Sequence, residues 1–229
     1  MSKTTPESRS DATAPGDRTG LRADGKATRD RILDAAEMAF ATAPYDGVSL
    51  RRITGDAGVN LALVKYYFAS KENLFAAVVA RRAPDLCRLR MQRLAEIQAE
   101  GPPDLKTVIG AYMRPLFDQM KSEDPGWPNY VRMIAFMAQD ARFDALMSEH
   151  FDETARAFFA VIRAAVPEAK EADVLCGLTF LLTLTVRCLS GEMRCVTLAD
   201  RKAQVTDLEE FYDHLMPFCS AGMIALMNR

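Results

Sequence analysis

The sequence predicts an all-α protein, and three observations predict it. From Thr28 onward nearly every segment repeats apolar residues at spacings of three and four, the period of one helix face. No stretch alternates apolar and polar residues convincingly, and no Asn-Gly hairpin signal occurs. Between the periodic segments stand Ser, Asn, Gly and Pro residues placed to cap, turn and stop helices.

Residues 1–25 are rich in Ser, Thr, Pro, Asp and Gly and lack apolar periodicity, so a mobile tail is expected there. Thr28 is placed to cap a helix over 28–43 with Ile32, Ala36, Ala39, Phe40 and Ala43 on one face, and Pro44, Asp46 and Gly47 stop it. Ser49 then caps a short helix whose Leu50, Ile53 and Ala57 recur at helical spacing, and Gly58 supplies the turn. After Gly58, Val59 and Asn60 a second short helix covers 61–67. Ser70 caps the next, which carries Leu74, Phe75, Val78 and Val79. Pro84 is expected to interrupt or kink the helix at that point, although Leu86, Leu89, Leu94 and Ile97 continue a helical face to about residue 99. Gly101, Pro102 and Pro103 end it. Further helices are expected over 104–120, 127–138, 143–166, 168–190 and 207–227, with Pro115 and Pro217 bending two of them. The apolar run 174–186 contains Gly177 and three threonines and is shorter than the roughly 20 residues of a membrane span, which reads as a buried helix.

Composition narrows the function classes. The chain has 229 residues, 49% of them hydrophobic, enough for one large or two small domains. Its 29 Lys and Arg against 31 Asp and Glu exclude a generally polycationic coat for nucleic acid, so any basic surface must be local. The only histidines, His150 and His214, lack metal-ligand spacing, so no metal is expected and no cofactor. Neither a phosphate-cradling glycine loop nor a nucleophile elbow is present, and no polar catalytic constellation can be named, so an enzyme is not expected. Cys87, Cys176, Cys188, Cys195 and Cys219 form no C-x-x-C pair, and no secretory signal opens the chain, which fits a reducing cytoplasm. Cys188 and Cys195 are near enough in sequence for a thiol test.

Two short helices joined by a three-residue glycine turn make a helix-turn-helix, whose second helix can lie in a DNA major groove; an ordinary helical hairpin shares the pattern. Turning each residue by about 100° with Val64 inward sends Ala62 and Tyr66 outward, flanked by Leu63 and Lys65. Leu61, Tyr67 and Phe68 fall inward or sideways. Apolar side chains on that face suit thymine methyls, and a Tyr hydroxyl suits a phosphate. Between Gly47 and Arg82 six basic residues face two acidic ones, so charge is concentrated where DNA would lie. Lys71, in the first turn of its helix, is placed for a phosphate, and Arg51 for a guanine or a phosphate. Arg81 and Arg82 read as the solvated end of a helix.

The series Arg31-Ile32-Leu33-Asp34-Ala35-Ala36, Gly47-Val48-Ser49-Leu50-Arg51-Arg52-Ile53, Ala57-Gly58-Val59-Asn60 and Tyr66-Tyr67-Phe68-Ala69-Ser70-Lys71-Glu72-Asn73-Leu74-Phe75 resembles the DNA-binding domain of TetR-family transcriptional regulators. The resemblance implies an N-terminal three-helix DNA-binding domain over 26–75 and a larger helical ligand-binding and dimerisation domain over 76–229. It implies a homodimer and carries the family's DNA contacts onto Arg51, Ala62, Leu63, Lys65, Tyr66, Tyr67 and Lys71, with Asn60 opening the recognition helix. It further implies a repressor released from a palindromic double-stranded operator by a small lipophilic effector, in the cytoplasm at the nucleoid and with no membrane partner. A protein-interaction adaptor and an all-α enzyme without a recognisable motif are the alternatives.

In the C-terminal part, Met113, Phe117, Trp127, Tyr130, Met133, Ile134, Met137, Phe158 and Phe180 are candidates for a pocket that takes an apolar or amphipathic ligand, although most such residues serve a core. Arg132 and Arg187 lie in apolar helices and are weighed as anionic head-group contacts against ion pairs. The helices at 168–190 and 207–227 are assigned to the dimer bundle.

Overall fold

A computed structural model describes residues 17–189 and 207–228, with side chains from residue 24 onward. Nine α-helices are present among these residues: α1 (Asp17–Thr42), α2 (Leu50–Ala57), α3 (Leu61–Phe68), α4 (Lys71–Ala99), α5 (Leu105–Met120), α6 (Gly126–Met137), α7 (Asp144–Ala165), α8 (Glu171–Leu189) and α9 (Leu208–Met227). Single 3-10 turns at Tyr45–Gly47 and Ala141–Phe143 tighten two connections. The described residues contain no strand.

Capping explains most of the starts. Ser49, Asn60, Ser70 and Asp104 are extended, and each side chain accepts a hydrogen bond from the backbone N–H three residues on, which satisfies a donor the helix itself leaves unpaired. Gly58 ends α2 in the left-handed conformation at φ 63°. Its N–H bonds to the Gly55 carbonyl and that of Val59 to the Thr54 carbonyl, a Schellman ending that hands the chain to α3 in three residues.

In the N-terminal part, Ile32, Ala36 and Phe40 of α1, Ile53 of α2, Val64 and Phe68 of α3 and Leu74, Phe75 and Val78 of α4 form one core. The other face of α1 packs on α6, seating the N-terminal helices on the larger domain. There α5 packs against α4, α6, α7 and α9, and α8 lies along α9.

Several expectations need correction. The first helix begins at Asp17, inside the segment read as a tail; residues 1–16 lie outside the described residues. Thr28 is therefore an interior residue rather than a cap. Pro84 does not interrupt α4, because a single lost hydrogen bond is outweighed by Val79, Ala83 and Leu86 buried around it. The boundary placed at 75/76 falls inside this helix. Nor is α8 a buried helix: Val174, Gly177, Leu181, Thr185 and Leu189 form its buried stripe, while Leu175, Phe180, Leu182 and Leu184 are exposed. Among the described residues α8 alone is long and apolar enough to cross a membrane by length and composition. Its connection to α9, including Cys195, lies outside them.

Candidate functional site

On α3 the buried stripe is Val64 and Phe68, and the helix lies as the wheel predicts. Tyr66 is 80% exposed, Ala62 and Lys65 are exposed beside it, and Leu63 and Tyr67 are half-buried flanks. The Tyr66 ring stands edge-on to Tyr67 at 5.2 Å between centroids. Asn60 accepts from Leu63 N–H at 2.9 Å, so its side chain serves the helix start. Arg51 is exposed on α2 and makes no ion pair among the described residues, whereas neighbouring Arg52 donates to Thr42 Oγ1. Tyr66, Lys65, Ala62 and Arg51 are thus presented to solvent on two adjoining capped helices.

Lys71 departs from the expectation. Its ammonium donates to the Tyr45 carbonyl and lies 4.0 Å from the centre of the Tyr45 ring, so it braces the turn before α2 rather than pointing freely outward. Arg82 departs further. It sits in mid-helix because α4 runs on to Ala99, and its side chain is only 13% exposed. Arg82 Nε donates to Glu37 Oε2 on α1 at 3.0 Å, and Nη1 to Asp124 Oδ2 before α6 at 2.8 Å. Burial pushes the Glu37 carboxyl above its usual range, against the pull of Arg82. Tyr130 Oη donates to the Val79 carbonyl at 2.9 Å and ties α6 to the same stretch of α4.

Beyond this junction α4 to α8 surround a cavity of about 720 Å³. Of the residues expected to line a pocket, Met113 and Ile134 do so. Phe117, Tyr130 and Phe158 are fully buried core instead. Met133 and Met137 border a smaller cavity of about 230 Å³ beside Phe40, Tyr45 and Phe75. Trp127 lies against Tyr130 with Arg82 over its ring. Phe180 is 56% exposed on α8 and lines neither cavity. Arg187 borders the large cavity, Arg132 does not.

Sequence reasoning missed Arg90, Tyr112, Leu116, Met147 and Phe151 in the cavity wall. Arg90 left a legible signal: Leu86, Arg90 and Leu94 recur every four residues on the buried face of α4, so an arginine stands where a core residue belongs.

Charge also closes the far end of the domain. Arg114 on α5 donates to Glu209 on α9 through both terminal nitrogens, at 2.8 and 2.6 Å, and Lys121 lies 3.0 Å from the same carboxylate. The hydrogen bonds from Arg114, then that of Lys121, hold the Glu209 carboxyl down to about 2. No group of three or more His, Cys, Asp or Glu placed for a metal occurs among the described residues.

Two family descriptions match the chain: bacterial regulatory proteins of the tetR family over residues 32–78, and the tetracyclin repressor-like C-terminal domain over residues 110–222. The transcriptional repressor AcnR of Corynebacterium diphtheriae is 35% identical over 73 residues, 32% of this chain and 34% of that protein. The repressor NicS of Pseudomonas putida is 40% identical over 63 residues, 27% of this chain and 30% of that protein. The matched region thus spans about a third of the length of these curated relatives. A solved gamma-butyrolactone receptor, an ArpA-like protein, shares the fold at 20% identity and a TM-score of 0.51, over 87% of this chain and 98% of that one. With one match on the capped helix-turn-helix and the other on the helical domain around the cavity, the chain belongs to the TetR family of bacterial regulatory proteins.

Proposed function

We propose that the protein is a ligand-responsive transcriptional repressor that binds a palindromic DNA operator as a homodimer and is released by a small amphipathic effector. The observation that carries this reading is the outward face of α3, where Tyr66, Lys65 and Ala62 are exposed on a helix capped at its start and locked to α2 by the Gly58 turn. A large exposed tyrosine beside a lysine is poorly suited to bulk solvent and well suited to a groove flanked by phosphates. Arg51, Asn60, Leu63 and Tyr67 complete the contact set, with Lys71 bracing it from behind.

Dimerisation runs through α8 and α9. Phe180 on α8 and Phe218 and Ile224 on α9 are exposed on two helices packed side by side, apolar side chains that a two-fold partner would cover. This accounts for the apolar character of α8 without a membrane. Effector in the 720 Å³ cavity releases DNA by binding more tightly to a subunit arrangement whose heads no longer match the half-site spacing. The protein acts in the cytoplasm, on the nucleoid, and catalyses no reaction.

The test is selection of DNA from a random fragment pool by the purified protein, with Lys65→Ala/Tyr66→Ala beside it. A palindromic site is expected, bound at least about tenfold more weakly by the variant and with a salt slope lower by about one. Selection of no sequence after refolding away any bound ligand, or equal binding by the variant, refutes the proposal and favours an adaptor.

A further inference from the structure

Arg90 is 4% exposed, and its guanidinium is a positively charged group with donors only. A buried cation normally faces a carboxylate, because an uncompensated charge in a low-dielectric interior is among the most unfavourable arrangements a fold can hold. None faces Arg90. Among the described residues no Asp or Glu lies within ion-pair distance of it, although thirteen such pairs are made elsewhere.

What holds Arg90 is partial. Nε donates to the Tyr112 carbonyl at 3.1 Å, and the guanidinium carbon Cζ lies 3.9 Å from the centre of the Tyr112 ring. These contacts fix its position and leave both terminal nitrogens without a protein acceptor among the described residues. Neither nitrogen is sealed off as a buried unpaired atom, and Arg90 belongs to the wall of the 720 Å³ cavity, so the unsatisfied donors open into that space. Among the described residues the one acidic group bordering the cavity, Asp144, is exposed at the start of α7. The cavity wall is largely apolar, with Leu116, Val131, Ile134, Met147 and Phe151 in it, and it also carries Gln139, three threonines and Arg187.

We infer that the effector is an amphipathic monoanion whose carboxylate, or an oxyanion of like shape, pairs with Arg90 while its apolar body fills the space among those side chains. This rests on the reading of the cavity as the effector site and adds the chemical class of its occupant. The two Nη groups present parallel donors to one planar acceptor pair, and the Nε bond and Tyr112 ring hold the fork in orientation beforehand. An uncharged lipophile of equal size would leave the buried cation uncompensated, so the site selects against it.

The experiment titrates the full-length protein by calorimetry with saturated carboxylates from octanoate to tetradecanoate and with the methyl ester of each, matched for chain length. In wild type the best carboxylate is expected to bind on the order of tenfold to a hundredfold more tightly than its ester, as a charge-assisted hydrogen bond gives. Arg90→Met is expected to abolish that ratio while keeping ester affinity, and Arg90→Lys to restore part of it. If Arg90→Met does not fold, the wild-type ratio and the Arg90→Lys variant decide. Equal affinity of acid and ester in wild type overturns the inference and leaves the cavity as the effector site. A preference that survives in Arg90→Met also overturns it. If no member of either series binds, the inference and the effector reading of the cavity fall together.

Discussion

Removing the Glu37 carboxylate should destabilise the protein through what it leaves behind. Glu37 is 2% exposed on α1, and its partner Arg82 is 13% exposed on α4. Burial raises the Glu37 carboxyl despite that partner, whereas for Arg82 the pull of its own burial is overcome by Asp124 and Glu37, which raise it, so the uncompensated desolvation lies on the carboxylate. The penalty for Glu37→Ala therefore comes from stranding Arg82. Breaking a buried pair from one side costs about 3–5 kcal/mol, and since Asp124 still accepts from Arg82 the lower end, about 3 kcal/mol, is expected. Asp124 is half exposed, so Asp124→Ala should cost about 1 kcal/mol or less. Replacing both members, Glu37→Met with Arg82→Met, strands no buried charge and should return to within about 1 kcal/mol of wild type. Urea unfolding at one fixed protomer concentration, followed by far-ultraviolet circular dichroism and by the fluorescence of Trp127, measures all four proteins. Trp127 is the only tryptophan and stacks beneath Arg82, so its emission reports this junction. If Glu37→Ala costs no more than Asp124→Ala, or the double variant is no more stable than Glu37→Ala, the penalty does not come from a stranded cation.

Other positions give independent tests. Ala69 adopts φ 62° after α3, a conformation that strains a side-chain-bearing residue, so Ala69→Gly should raise stability by up to about 1 kcal/mol in the same unfolding assay. Glu209 titrates at about 2 when folded against an ordinary 4.5, so its contribution is complete above 4.5 and is lost as pH falls towards 2; Glu209→Gln should flatten the acid slope of the urea midpoint in that window. Glu37 has the opposite sign. Its raised folded value means the stability tied to it grows as pH falls through that value towards 4.5, and Glu37→Gln should remove that trend. Phe218 is 70% exposed on α9, and Phe218→Ser should weaken self-association by at least about tenfold in sedimentation equilibrium while leaving helicity unchanged.

The sequence made the N-terminal helices legible because short-range chemistry sets them: Ser49, Asn60 and Ser70 cap where their side chains can reach, and Gly58 ends α2 because the turn needs a positive φ. Helical spacing likewise separated Val64 from Tyr66. Arg82 was misread because its partners, Glu37 and Asp124, lie 42 to 45 residues away, and no local pattern reports a long-range pairing; the Tyr45 contact of Lys71, 26 residues off, is invisible to it for the same reason. The pocket was the least legible part. Periodicity marks Met113 and Phe117 equally as buried, but which of them borders empty space depends on how five helices cross. Phe180 shows the same limit from the other side, since helical spacing does not separate an apolar residue left exposed from one in a core.

The uninterrupted α4 sets a mechanical ratio. At roughly 1.5 Å per residue, Lys71 behind the recognition helix stands about 16 Å along the axis from Arg82, and Arg90 stands about 12 Å on the other side. Arg82 and its neighbours are pinned to α1 and α6 by Glu37, Asp124 and the Tyr130 hydroxyl, which makes that stretch a fulcrum. For a rigid rod, a displacement of about 1 Å at the cavity end becomes about 1.4 Å at the end that props α3. Pro84 sits just past the fulcrum on the cavity side and cannot donate to the carbonyl of Ala80, so the rod is softest between the fulcrum and Arg90. If ligand acts at Arg90 as proposed, the flexibility that Pro84 gives α4 would reduce how much of a displacement there reaches α3.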